Sequence, residues 1–174
     1  MLIILSGLPG TGKTSIAHLL VPALGAVHVR IDTIEHALRT SGKLLTELDD
    51  AGYRVGYAIA EGNLRLGLPV VADSVNPLGI TRAAWRQVAA RAGAPAVEVE
   101  VICSDAEEHR RRIETRTADL EGFRLPTWRE VLERRYEPWD RDHTVIDTAG
   151  RTAEQSVATL RANFILADWM TGRH

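Results

Sequence analysis

LIILSGLPGTGKTS, residues 2–15, decides how the whole chain is read. Leu2 to Leu5 is a short continuous apolar run, the pattern of a strand buried on both faces. Ser6 ends it, and Gly7, Gly10 and Gly12 follow before Lys13 and Thr14. The segment Gly7-Leu8-Pro9-Gly10-Thr11-Gly12-Lys13-Thr14 fits the phosphate-loop pattern of Gly, four residues, Gly-Lys-Ser/Thr. Its glycines let backbone N–H groups turn inward as an anion nest. The helix that opens at Ser15 adds the positive end of its dipole. In such a loop Lys13 supplies a point charge to the β- and γ-phosphates of ATP, and the Thr14 hydroxyl is placed for Mg²⁺. A plain glycine-rich turn is the alternative, but the buried strand before and the helix after are the context the motif requires.

Working outward, apolar runs alternate with helical patterns. The helix from Ser15 to Leu20 is bent or ended by Pro22 and closed at Gly25. Strands are expected at Val27–Ile31, Pro69–Ala72, Val97–Ile102 and Thr144–Ile146. Between them, Asp32-Thr-Ile-Glu35 reads as a capping box opening a helix to Thr40, and Ser104-Asp-Ala-Glu107 as another running to Arg116. Glu47–Leu66 reads as a helix weakened by Gly52, Gly56 and Gly62. Ile80–Ala92 is amphipathic, Thr127-Trp-Arg-Glu130 caps a further helix, and the last helix starts at Thr152. Residues 117–126 are irregular. Five strands alternating with helices make an α/β chain with a parallel sheet covered on both faces. Ligands then bind at the C-terminal ends of the strands.

Composition narrows the function. At 174 residues the chain is most simply one domain. A net charge of −2 gives no support for binding nucleic acid or anionic lipid. No stretch reaches the roughly 20 apolar residues of a membrane span. Cys103 is the one cysteine, so no intrachain disulfide forms, and a reducing cytoplasm is the expected setting. All but two of the 21 basic residues are arginine, the exceptions being Lys13 and Lys43.

Candidate chemistry lies just after the strands. Asp32 is either a helix N-cap or the carboxylate that orients an acceptor hydroxyl and takes its proton. Asp73, at the end of LPVVADSVNP, has the shape of a Walker B acid, against an Asx turn with Asn76 and Pro77. The run HRRRIETR, residues 109–116, is either a solvated, ion-paired helix or a source of nucleotide contacts.

On its phosphate loop, and nearly end to end in layout, the chain resembles the P-loop small-molecule kinases. These include nucleoside monophosphate kinases, gluconate kinase, chloramphenicol phosphotransferase and zeta toxin, and the chloramphenicol phosphotransferase branch is the nearest likeness. That resemblance implies a three-layer P-loop NTPase fold with strand order 2-3-1-4-5 and a short lid, here residues 117–126. It implies ATP and Mg²⁺ and transfer of the γ-phosphoryl group to a small hydroxyl-bearing acceptor. Lys13, Asp32 and Arg116 would be catalytic, and Thr14 and Asp73 would serve the metal. Residues Gly7 to Ser15 would bind the phosphates. Arg112, spaced four before Arg116, would stack on adenine, and Thr148, in Asp147-Thr148-Ala149-Gly150, would border it. Arg39, Asn76 and Arg82 are candidate acceptor contacts because each follows a strand on the binding side. A nucleotide-binding regulatory switch is the alternative from another class, although no Asn-Lys-X-Asp motif is present, and a zeta-toxin-like kinase of a nucleotide sugar is a second.

Overall fold

The computed structural model describes residues 1–42 and 50–163. In chain order its elements are β1 Leu2–Ser6, α1 Lys13–Leu24, β2 Val27–Arg30, α2 Ile31–Thr40, α3 Ala51–Arg65 and β3 Val70–Asp73. They continue as α4 Gly79–Arg91, β4 Ala96–Ile102, α5 Ala106–Thr115, α6 Trp128–Leu132, β5 Thr144–Asp147 and α7 Ala153–Asn163. The five strands form one parallel sheet in the order β2-β3-β1-β4-β5.

The central strand explains the two-sided core. All five residues of β1 are buried. Their side chains alternate between faces. Ile3 and Leu5 join Ile16, Ala17 and Leu20 of α1 and Val157 and Leu160 of α7. Leu2 and Ile4 join Ala60 and Leu64 of α3 and Trp85, Val88 and Ala89 of α4. Each fully buried Leu or Ile contributes about 1.5–3 kcal/mol. A strand without a polar face is therefore stable only at this position, between two helical layers.

Several boundaries differ from the sequence expectation. Helix α1 begins at Lys13, directly on the loop, and passes through Pro22 to Leu24 before Gly25 ends it in a left-handed conformation. Pro22 removes one backbone donor and is itself exposed, yet Val21 and Leu24 beside it pack against the core, and that packing holds the last turn. The Asp32–Glu35 capping box does not form: α2 starts at Ile31, its N-cap is Arg30, and Asp32 lies inside the first turn. The expected Ser104 cap moves by one residue, because the Asp105 carboxylate accepts from the N–H groups of Glu107 and Glu108. The Thr127–Glu130 capping box is present. Of the long helix expected from Glu47, residues 47–49 lie outside the described residues, and α3 runs from Ala51. Two of its three glycines have a packing reason, while Gly62 faces open space. A Cβ on Gly52 would stand 2.3 Å from Cγ of Glu35, and one on Gly56 would stand 2.5 Å from Cδ1 of Ile31. Those positions let α3 lie close against α2, which outweighs about 1 kcal/mol of helix propensity lost at each.

Candidate active site

The C-terminal edge of the sheet opens into a cavity of about 1140 Å³, and most of the expected site residues line it. The phosphate loop forms its floor. Gly7, with φ of 142°, packs so tightly under β4 that a Cβ would stand 2.1 Å from the Val101 carbonyl oxygen. Gly10 and Gly12 also take positive φ, at 82° and 99°. This left-handed backbone turns successive N–H groups to one side. From behind, the Gly7 N–H donates to the carbonyl of Val75 at 3.1 Å. From α5, His109 lies 2.8 Å from the Pro9 carbonyl through its Nε2.

Lys13 is almost fully buried, and its Nζ donates to the Leu8 carbonyl at 2.9 Å. Burial pushes its pKa down; the charges of Asp73 and Asp32 pull it partly back up, and Arg116 and Arg134 push it down again. All four of these charged groups line the same cavity. Next along α1, the Thr14 hydroxyl donates to Oδ2 of Asp73 at 2.8 Å, and Nε2 of His28 lies 3.4 Å from the same oxygen. Burial pushes the Asp73 carboxyl up, but the His28 contact, the Lys13 charge and the Thr14 hydroxyl outweigh it and hold it below the usual range.

Asp32 faces the cavity from α2 and makes no hydrogen bond among the described residues. Arg116 reaches in from the end of α5, with its Nε buried and unpartnered among the described residues. Burial lowers its pKa, and Asp32 partly restores it. Arg112 bonds the Thr148 side chain and carbonyl, each at 2.8 Å, and Oε1 of Glu108 at 2.6 Å. Thr148 in turn donates to the carbonyl of Thr11 at 2.8 Å, so the loop after β5 is tied to the phosphate loop. Ser15 lies at the same end of the cavity.

Residues 117–126 contain no helix or strand, and Gly122, Phe123, Arg124 and Pro126 among them line the cavity. Asp119 bonds the Arg30 guanidinium through both carboxylate oxygens. The Phe123 ring meets His36 edge-on at 5.7 Å. Arg30 ends β2 and His36 lies midway along α2, so both anchors flank Asp32.

Three acceptor candidates separate here. Arg39 lines the cavity, paired with Glu35 at 3.0 Å. Asn76 and Arg82 do not line it. Asn76 is buried with a left-handed φ of 49°, donates from its side chain to the Ser6 hydroxyl at 2.9 Å, and so braces the strand that leads into the loop. Arg82 is 1% exposed; its guanidinium donates to the carbonyls of Asn76, Pro77, Glu137 and Pro138 at 2.7–3.2 Å. It also lies over the rings of Tyr136 and Trp139. Both follow a strand in sequence, but the chain turns back beneath the sheet edge and points them into a scaffold. Conversely, sequence reasoning passed over His28, Arg30 and Asp119. The alternation in Val27-His-Val-Arg30 places His28 and Arg30 on one polar row, and that was the available signal.

A family profile described as AAA domain matches residues 2–138. The chain belongs to that family. Among solved structures, this AAA domain is similar to a sugar kinase from Janibacter sp. HTCC2649, at 18% identity and TM-score 0.67, covering 92% of either chain. It is similar to Mycobacterium tuberculosis APS kinase in complex with AMPPNP and APS, at 22% identity and TM-score 0.65, covering 92% of this chain and 95% of that one. It is also similar to a gluconokinase from Sinorhizobium meliloti 1021, at 20% identity and TM-score 0.60, covering 95% of either chain. At these identities the likeness shows a shared fold. No curated protein matches the chain. Among the described residues no helix is long and apolar enough to cross a membrane.

Proposed function

We propose that the protein is an ATP-dependent phosphotransferase that moves the γ-phosphoryl group of MgATP to a hydroxyl of a small acceptor. The observation that carries this reading is the convergence of Lys13, Thr14, Asp73, Asp32 and Arg116 on one cavity. At about 1140 Å³ it exceeds the usual range for a single small ligand, about 300–1,000 Å³.

The residues present fit both the nucleotide and its metal. The left-handed glycines, the buried ammonium and the unpartnered Arg116 nitrogen suit a polyphosphate. The Thr14–Asp73 pair offers hard oxygens, as Mg²⁺ prefers. Thr14 would hold the ion directly and Asp73 through a bound water. When bound, Mg²⁺ neutralises phosphate charge and fixes the phosphate geometry. Lys13 and Arg116 stabilise the charge that spreads over the transferring group. Asp32 orients the acceptor hydroxyl and takes its proton as the oxygen bonds to phosphorus. The bond from phosphorus to the bridging oxygen breaks, and ADP leaves with the electron pair. Positioning and charge suffice, because phosphoryl transfer asks for little covalent help. Residues 117–126, anchored on the Asp32 side, cover the acceptor's position and exclude water.

The test is ATP consumption against a panel of hydroxyl-bearing small molecules, with Lys13→Ala as control. An acceptor that raises turnover well above the water background supports the proposal. No stimulation by any acceptor, with tight nucleotide binding retained, would instead favour a regulatory switch.

A further inference from the structure

We infer that His28 is a positioning residue for the metal-bearing end of the site, fixing which oxygen of Asp73 faces the ion. The inference rests on the reading of Asp73 given above. His28 lies in β2, one strand away from Asp73 and two residues back in register, since His28 pairs with Val71. Both side chains therefore leave the sheet on the α1 face. Thr14 on α1 reaches the same carboxylate from above.

The arrangement is asymmetric. Thr14 Oγ1 at 2.8 Å and His28 Nε2 at 3.4 Å both take Oδ2. Oδ1 accepts no hydrogen bond among the described residues, yet it is not among their sealed, unpartnered polar atoms. It is the oxygen left for a ligand. A carboxylate held by one donor turns about χ2 at little cost, because that torsion is broad. A second donor from another strand removes the freedom. The contact needs the proton on Nε2, since a carboxylate offers only acceptors. The ring is held in place: His18, one turn after Thr14 on α1, meets it edge-on at 5.7 Å and 87°. Groups of this kind, which orient a metal-facing carboxylate without touching the metal, matter by about 10–100-fold in metal affinity or activity.

The experiment measures Mn²⁺ retention by the full-length protein–ADP complex, using the electron paramagnetic resonance signal of free Mn²⁺. Metal-free ADP affinity is measured separately by calorimetry in EDTA. His28→Leu removes the donor, and His28→Gln keeps an amide N–H at similar reach. The expected result is a loss of Mn²⁺ affinity of about 10–100-fold in His28→Leu, most of it recovered in His28→Gln, with metal-free ADP binding unchanged in both. If the leucine variant does not fold, His28→Asn, whose amide stops short of Asp73, takes its place with the same expectation. Wild-type Mn²⁺ affinity in the donor-free variant overturns the inference, as does equal loss in the leucine and glutamine variants. Failure of the underlying reading looks different: the wild-type ADP complex itself would retain no Mn²⁺.

Discussion

Arg82→Met separates a scaffold from a ligand contact. The substitution removes four hydrogen bonds of 2.7–3.2 Å and the stacking over Tyr136 and Trp139, while methionine fills much of the stem's volume. Hydrogen bonds to a charged donor contribute about 1.5–3 kcal/mol each, and a desolvated cation–π contact about 2 kcal/mol. Their sum overstates the effect, because the variant no longer buries a charge. What remains is four carbonyls without their donor, each costing about 1–3 kcal/mol where it stays buried and unsatisfied, so a net destabilisation of about 3–5 kcal/mol is expected. In a chain of 174 residues each kcal/mol moves Tm by about 2–4 °C, so a fall of about 6–20 °C is expected by circular dichroism. Nucleotide affinity should weaken as well, because Arg82 holds the Asn76 carbonyl while the Asn76 side chain braces Ser6, one residue before the loop. A Tm within about 2 °C of wild type, together with a raised acceptor KM, would refute the scaffold role and return Arg82 to the acceptor pocket.

Asp32→Asn should lower kcat by about 10²–10⁴-fold, with ADP affinity and Tm nearly unchanged, because Asp32 caps nothing in α2; a marked loss of stability with intact kcat counts against a base. Lys13→Met should abolish nucleotide binding yet leave Tm equal or higher. The Lys13 pKa is lowered in the fold, so the charged form opposes folding, and wild-type stability should rise with pH between the lowered value and about 10.4. Titrated chemical unfolding of both proteins checks this, since the variant should lack that rise. Asp73 has the opposite physiological consequence: its lowered value contributes stability above the unfolded pKa of about 3.9, lost as pH falls through the folded one, and Asp73→Asn should shrink that acid-side loss. Asp119→Ala should raise acceptor-independent ATP hydrolysis by freeing residues 117–126 from Arg30, and an unchanged water background argues against a covering role.

The sheet was legible because its signal is local. Leu2–Leu5 could be only a doubly buried strand, and the glycines after it admit few backbones. The strand order followed from resemblance, and the topology agrees. The acid at position 32 was found, but its capping role was not real: β2 runs into α2 with no turn between them, so Ile31 takes the first helical position. Arg82 and Asn76 were misplaced because "after a strand" is a statement about one coordinate, while burial depends on what folds back from residues 136–139. His28 and the Arg30–Asp119 pair join positions 45 and 89 residues apart, and no local pattern encodes such partners.

Residues 117–126 are fastened at the acid's side by Arg30 and His36, and at their far end by the Arg124–Glu130 pair to α6. For a phosphotransferase so built, anchorage sets the order of traffic. Thr148 and Arg151, which also line the cavity, take no part in these fastenings. An acceptor seated beside Asp32 would part the Arg30 and His36 contacts on arrival, and its phosphorylated form would part them again on departure.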